Sequence, residues 1–577
     1  MIVFSGTEFI FRFLPVFLVV YYLTPARHRD ITLLLGSIFV YATVDIRYLL
    51  LLLALTAINY YLGERILADR SGAPAAAQSE RVQTESEQLE RVRELFRNGI
   101  RSEVSADPSP RELKTSPAFA PEHETADGGT TGEIIFHDIF AEEEAAGKER
   151  EKEAFAEAKA HLMESLAAKE KKKPAAEKPA ERKRPEKSET GNAPAAQLAG
   201  RTALLLAVAI DVASLILCKY LALNVQSFIL PLGMSFYIFK MISYQADLYR
   251  GVITHRPGFV RTAAYFTMFP QITQGPIMRY GEGEFDSEKP RRVSAFSIEN
   301  GVVFFVIGLS FKVLLADRLG ILWNEIAKIG YESISTPLAW MGAFCYSFQL
   351  YFDFWGYSLM AGGLGLMLGF PFIMNFRHPY LADGIADFYR RWHLTLGNWF
   401  RDYVYIPMGG SRKGALRTIL NLLIVWGLTG LWHGGTLNFI IWGLVLGILI
   451  ILEKFLLKGA MRAHPAIGHF HVWFFIPLTW VIFAIDDLKD LGMYFTRLFP
   501  FFGTGVAVNH LDFWPYLKLY LPYFAVAALL SAMSQIFIRT VRNRRNPIVL
   551  LLLLILFWVC VYYMVTTAGN AFMYFSF

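Results

Sequence analysis

The stretch Ile548-Val-Leu-Leu-Leu-Leu-Leu-Ile-Leu-Phe-Trp-Val-Cys-Val-Tyr-Tyr-Met-Val-Thr566 carries no charged residue. About 20 predominantly apolar residues are what a helix needs to cross the hydrocarbon of a bilayer, so this run predicts a transmembrane helix. The rest of the chain agrees with it. Of 577 residues, 54% are hydrophobic, 15% aromatic and only 18% charged, and 48 are Phe. Soluble domains carry about 25% charged residues. An ordinary soluble globule is excluded, and the fold expected is an all-α polytopic membrane protein.

Eleven further apolar runs lie upstream of that stretch, near residues 9–23, 31–44, 48–61, 203–223, 228–244, 302–315, 338–354, 419–431, 439–452, 473–485 and 520–538. The expected bundle therefore has about 11–13 transmembrane helices. The first run, Phe9 to Tyr22, has no basic region before it and no small-residue cleavage site after it, so it reads as a retained span. One stretch breaks the pattern. Residues 265–277, Tyr-Phe-Thr-Met-Phe-Pro-Gln-Ile-Thr-Gln-Gly-Pro-Ile, are too rich in Pro, Gly and Gln for a lipid-facing helix. Irregular backbone survives at membrane depth only inside protein or along a cavity, which predicts a re-entrant segment.

Charge is concentrated in one place. Between Glu64 and Arg201 stand 23 Lys/Arg and 28 Asp/Glu, a net of −5, leaving +11 for the apolar remainder. Basic loops between spans mark the cytoplasmic face, so the link Pro25 to Asp30 and the charged insert are expected inside, both termini outside, and the whole in a bacterial inner membrane. The expected organisation is residues 1–66 as a first group of membrane helices, 67–200 as a largely disordered cytoplasmic insert, and 201–577 as the membrane core. The insert has too little apolar surface to offset chain entropy. Within it, 85–101 and 141–173 could form exposed helices, and Ile134 to Phe140 is a small apolar island that is either incidental or a docking motif. The cations do not cluster on a soluble face, so a nucleic-acid partner is not expected. Cys218, Cys345 and Cys560 lie apart in apolar runs, which excludes a disulfide framework and a zinc site; no metal is expected.

The chemistry is concentrated between Tyr351 and Gly443. Asp353, Asn375, Arg377, His378, Asp383, Asp387, Arg390, Arg391, His393, Asn398, Arg401 and Asp402 crowd there among aromatic residues. Ionisable groups near membrane depth are costly and line functional cavities, so a protein-lined chamber is expected. Beyond them comes Leu428-Thr-Gly-Leu-Trp-His-Gly-Gly-Thr436. His433 at the junction of two apolar spans is either a structural hydrogen-bonding group or a base that takes a proton from a hydroxyl; His393 in a similar setting favours the base. No Gly-x-Ser-x-Gly elbow, polar-loop Cys or Walker A sequence supports a covalent hydrolase or a nucleotide-driven transporter.

The runs Tyr351-Phe-Asp-Phe-Trp-Gly-Tyr-Ser358, Asn375-Phe-Arg-His-Pro-Tyr-Leu381, Asp387-Phe-Tyr-Arg-Arg-Trp-His-Leu-Thr-Leu396, Trp399-Phe-Arg-Asp-Tyr-Val-Tyr-Ile-Pro-Met-Gly-Gly410 and Leu431-Trp-His-Gly434 resemble the membrane-bound O-acyltransferase (MBOAT) family, in its branch that O-acetylates alginate and other bacterial exopolysaccharides. Val3 to Ser5, Leu230 to Phe236, Phe269-Pro-Gln, Gly275-Pro-Ile, Lys312 to Leu319 and Phe572 to Phe577 add to the likeness, which spans everything outside about 67–200. Trp355 stands where the branch more often has Ser, and Gly397-Asn398 where Ser-Thr is common, which implies a differently shaped chamber wall.

The resemblance implies a helical bundle around a central tunnel, with His433 as catalytic histidine and His393 as its companion. It implies acetyl-CoA as acyl donor, with Arg390, Arg391, Arg401 and Asn398 toward the cofactor and Arg412 and Lys413 nearby. The implied partners are membrane lipid, a periplasmic SGNH-type acetyltransferase and a polysaccharide acceptor. Two alternatives stay open: D-alanyl transfer to teichoic acid, and a non-catalytic scaffold or transporter of a polysaccharide-export complex.

Overall fold

The structure is a computed structural model that describes residues 6–43, 45–71, 193–226, 228–253, 255–287, 290–499, 501, 509–532 and 544–567. The chain divides into two compact units, Met1–Glu64 with Ala203–Phe577, and Arg65–Thr202. Of the second unit only 65–71 and 193–202 are described, so the expectations for 85–101, 141–173 and Ile134 to Phe140 lie outside the described residues, as do Val3 to Ser5 and Phe572 to Phe577.

Among the described residues the fold is helical throughout, with no strand and one isolated bridge pairing Phe376 with Trp392. The helices are α1 (Leu14–Leu23), α2 (Arg29–Ala42), α3 (Ile46–Ser71), α4 (Ala193–Asn224), α5 (Met234–Arg250), α6 (Phe259–Thr267), α7 (Ala295–Ser310), α8 (Asp317–Ile329) and α9 (Thr336–Met367). Then follow α10 (Ile385–Arg391), α11 (Leu394–Phe400), α12 (Ala415–His433), α13 (Leu437–Leu452), α14 (Lys458–Ala463), α15 (Pro465–Ala484), α16 (Leu488–Leu498), α17 (Phe513–Ala532) and α18 (Pro547–Thr566). Four π-helical turns interrupt or extend them, at Phe9–Phe13, Phe311–Ala316, Arg401–Tyr405 and Glu453–Leu457.

Seven described helices are long and apolar enough to cross a membrane alone, among them α12, α15, α17 and α18. The protein is a multi-pass membrane protein. The remaining expected spans are helical too, except that 228–233 ahead of α5 is irregular, and their composition differs for a physical reason. α9 runs for 32 residues with nearly every side chain after Leu338 buried in protein, so it needs no lipid-facing apolar surface. α18 is the opposite case, with 11% of its residues buried and Leu550, Leu551 and Trp558 exposed, the surface a helix presents to lipid.

The centre of the bundle is the crossing of α7 and α9. A Cβ on Gly301 would lie 2.5 Å from the Gly363 carbonyl oxygen, and one on Gly308 2.4 Å from that of Gly356. Small residues at matching seven-residue intervals let the two backbones touch. The irregular segment expected after α6 is present. Phe266, Met268, Phe269 and Ile272 are buried, the Phe269 N–H donates to Ser37 Oγ at 3.0 Å, and Tyr265 Oη donates to the Met278 carbonyl at 2.9 Å. Protein thus replaces the water this backbone would otherwise need.

Candidate active site

α12 and α13 form a tight antiparallel hairpin because glycine faces glycine. A Cβ on Gly443 would meet the Trp426 carbonyl at 2.3 Å, and one on Gly430 the Phe439 carbonyl at 2.4 Å. The turn Gly434 to Thr436 is pinned to α15 through Asn438, whose Nδ2 donates to the Ile482 and Phe483 carbonyls at 3.3 and 3.2 Å. α12 therefore ends on His433 at a fixed place. Its ring is walled by Trp432 at 4.4 Å, Trp442 at 5.0 Å and Phe483 at 5.0 Å between centroids.

His393 reaches the same region from a different element. The bridge between Phe376 and Trp392 brings two loop segments together, with the Arg377 N–H donating to the Arg391 carbonyl and the Leu394 N–H to that of Asn375. This pairing forces His393 into the left-handed region, φ 49° and ψ 55°, a conformation that costs a non-glycine residue about 1–3 kcal/mol and clusters at functional sites. His393 Nδ1 lies 2.9 Å from Asn375 Oδ1, which also accepts from Thr395 Oγ1 at 2.9 Å. Asn375 Nδ2 donates to Ser358 Oγ, and Thr395 Oγ1 accepts from the Ile277 N–H of the irregular segment. An imidazole that donates from Nδ1 keeps its lone pair on Nε2, and Nε2 has no hydrogen-bond partner among the described residues.

Both histidines open onto one cavity of about 1170 Å³. Its walls are aromatic, including Phe354, Trp392, Trp426, Trp442, Trp480 and Phe483. Arg390, Arg391, Arg401 and Asn398 also line it, so the six residues that the resemblance assigns to the site share one cavity, whereas Asn375, Arg377, His378 and Asp402 of the crowded stretch are not in its lining. Phe236 of α5 lies beside both the His393 ring, at 6.4 Å, and that of Trp432, the neighbour of His433, at 6.3 Å.

The charged end of the cavity is ordered by carboxylates. Glu453 accepts from the N–H groups of Ile385 and Ala386 at 2.7 and 2.9 Å and so caps the first turn of α10. Gly384 makes room for it, since a Cβ there would lie 3.0 Å from Glu453 Oε1. Asp387 then pairs with both Arg390 (3.1 Å) and Arg391 (2.7 Å), and Asp402 with Arg401 (2.6 Å). Burial pushes the Asp402 carboxyl up, but the guanidiniums of Arg401 and Arg279 outweigh that and hold it below its ordinary value. Each of the three arginines therefore has a carboxylate partner, although Asp387 serves two of them and Asp402 also serves Arg279. Lys454, Lys458 and Arg462 line the same end, are exposed, and have no acidic partner among the described residues.

Three expectations are corrected. Asp353 is not part of the chamber; it is buried on α9 and pairs with Lys312 at 2.9 Å, because a carboxylate at that depth needs a cation. Trp355 is not in the cavity wall; it packs on Phe311 and Tyr351 with centroids 4.8 and 5.1 Å apart. Arg412 and Lys413 lie outside the lining as well, their place taken by Lys454, Lys458 and Arg462, which follow the apolar α13 and read in sequence as ordinary loop charge. Sequence reading also passed over Lys219, an ionisable residue inside an apolar span, which is itself a signal.

Residues 249–485, which contain every one of the cavity residues above, match the membrane-bound O-acyltransferase family. This stretch belongs to that family. Among similar proteins are probable alginate O-acetylases of Pseudomonas fluorescens, 38% identical over 47% of this chain and 55% of theirs, and of Pseudomonas putida, 37% identical over 52% and 64%. A peptidoglycan O-acetyltransferase of Helicobacter pylori is 34% identical over 45% of this chain and 55% of its own. The matches thus span about 55 to 64% of these relatives' length. The MBOAT stretch begins at the last residues of α5 and ends just after α15, so α1 to α4, nearly all of α5, and α16 to α18 lie outside it.

Proposed function

We propose that the protein is an O-acetyltransferase of the bacterial inner membrane that takes acetyl from cytoplasmic acetyl-CoA and passes it outward for O-acetylation of an extracytoplasmic polysaccharide. The observation that carries this reading is one cavity with three unneutralised cations at one end and two imidazoles at the other. Lys454, Lys458 and Arg462 suit the phosphates of coenzyme A, which bind charge-assisted donors. The aromatic walls suit the pantetheine arm and keep water from the thioester.

In this reading His433 takes the proton of the acceptor hydroxyl as its oxygen attacks the thioester carbonyl. The tetrahedral intermediate then collapses, the C–S bond breaks, and the thiolate leaves with the proton returned from the imidazole. His393 orients the thioester carbonyl or the hydroxyl from Nε2, held by Asn375. An SGNH-type periplasmic acetyltransferase is the proposed acceptor or onward carrier, in keeping with relatives named for acetylating alginate and peptidoglycan.

The test uses the full chain in proteoliposomes with radiolabelled acetyl-CoA on the side of Lys458 and a glycan or serine acceptor on the other. Label should reach the acceptor with wild-type protein and fail to do so with His433→Ala. Transfer from a D-alanyl carrier protein but not from acetyl-CoA would overturn the donor. A teichoic acid D-alanyltransferase of Bacillus subtilis, 27% identical over 39% of this chain, makes that outcome the relevant control.

A further inference from the structure

α4 is an apolar membrane helix that carries a lysine near its end, and that lysine is directed at the site. Lys219 Nζ donates a hydrogen bond to the main-chain carbonyl of Trp432, the residue before His433. One turn further on, Leu223 packs into the turn that follows the histidine, where a Cβ on Gly435 would lie 2.1 Å from Leu223 Cδ1. The same stretch of α4 thus meets the chain on both sides of His433. Lys219 is absent from the cavity lining and outside the stretch matched to the family. It stands behind the histidine, away from the donor's path.

Three physical facts make this contact more than packing. The last carbonyls of a helix have no intrahelical partner, and α12 ends at His433 with Gly434 already extended, at φ −164° and ψ 164°. A cation at a helix C-terminus is favoured by the aligned peptide dipoles. An ammonium inside an apolar span is expensive unless it meets an acceptor, so the bond ties α4 to this carbonyl and to no flexible group. Holding the Trp432 carbonyl fixes the plane of the peptide that bears His433 and so the direction of its Cβ.

We propose that Lys219 is a positioning residue for the acyl-transfer step, clamping the end of α12 so that the His433 imidazole meets the thioester and the acceptor hydroxyl in reactive alignment. The proposal rests on the reading of His433 as the reacting base. Misplacement of a reacting group by about 1 Å costs on the order of 100-fold in rate.

The experiment measures kcat, KM for acetyl-CoA and melting temperature of the full chain in proteoliposomes for Lys219→Met, Lys219→Gln and Lys219→Arg. Lys219→Met should lower kcat by roughly 10- to 100-fold per folded molecule with KM unchanged, because the donor's cations at the far end are untouched. Lys219→Arg, which keeps a charged N–H donor of comparable reach, should recover much of the loss, and Lys219→Gln, whose donor is neutral and sits on a shorter side chain, only part of it. A lower melting temperature with unchanged kcat in Lys219→Met makes the residue a structural cap only and overturns the proposal. If Lys219→Met does not insert, the comparison passes to Lys219→Ala, which also lacks the donor. If neither inserts, Lys219→Gln must still show a kcat below that of Lys219→Arg, and equal wild-type kcat in both overturns it. The two readings fail separately. A fully active His433→Ala overturns the proposed chemistry, whereas an inactive His433→Ala beside a fully active Lys219→Met overturns the clamp alone.

Discussion

Two polar clusters sit deep in this bundle and are built in opposite ways. Lys312 in the π-helical turn after α7 lies 2.7 Å from Asp317 and 2.9 Å from Asp353, and its side chain is 2% exposed. Each charge there meets an opposite charge, and none of the three lines the cavity that holds the histidines. At the end of α12 and the start of α11 the arrangement is open. One nitrogen of His393 is held by Asn375, the other is left with its lone pair, and both imidazoles face a cavity. Closed pairing removes the cost of burying charge and leaves nothing to react. A half-satisfied group beside a cavity keeps a hydrogen-bonding position for a substrate, and it is held in a left-handed backbone conformation of the kind that clusters at functional sites.

The largest expected effect breaks the open cluster at its base. His433→Ala should lower acetyl transfer by ~10² to 10⁴-fold, the usual range for loss of a general base, with insertion and melting temperature near wild type. Wild-type turnover in the inserted variant would place the chemistry elsewhere.

The closed cluster should respond the other way. Lys312→Met leaves Asp353 buried without its cation, and breaking a buried pair costs about 3–5 kcal/mol. Thermal unfolding in detergent should show the loss, while any surviving folded fraction turns over normally. A stable but inactive Lys312→Met would mean that the two clusters are not as separate as their geometry indicates.

Smaller effects sharpen the open cluster. Asn375→Ala removes the acceptor at His393 Nδ1 and should lower kcat by up to about 100-fold through loss of orientation, and His393→Ala should weaken activity in the same step. If His393→Ala is silent while His433→Ala is dead, His393 is structural. The smallest effect belongs to the exposed cations. Lys458→Ala or Arg462→Ala should raise KM for acetyl-CoA by roughly 2- to 5-fold with kcat unchanged, in line with the ~0.2–1 kcal/mol of exposed charge pairs, and added salt should erase the difference between variant and wild type. Arg390→Ala, whose guanidinium already has Asp387 as a partner, should raise KM less than Lys458→Ala.

What the sequence by itself determined is what local composition controls. Uninterrupted apolar runs such as Ile548 to Thr566 require helices in lipid, the Pro, Gly and Gln of 265–277 forbid one, and the density of ionisable residues from Asn375 to Arg401, with His433 beyond them, marks chemistry before any coordinates are known. Of that crowded stretch Asp383, Asp387, Arg390, Arg391, His393, Asn398 and Arg401 line the cavity, as does His433. What only the tertiary structure decided is which polar groups share a space. Asp353 stands in the same crowded stretch as His393 yet turns to Lys312, forty-one positions upstream. Lys458 and Arg462 stand beyond the stretch yet close the cavity's charged end, and Lys219, on a helix outside the family match, reaches the Trp432 carbonyl. The physical reason is that these helices are apolar nearly all round, so periodicity does not say which face meets which neighbour. That is set by close contacts such as Gly301 on Gly363 and Gly430 on Phe439, which exist only once the helices have packed.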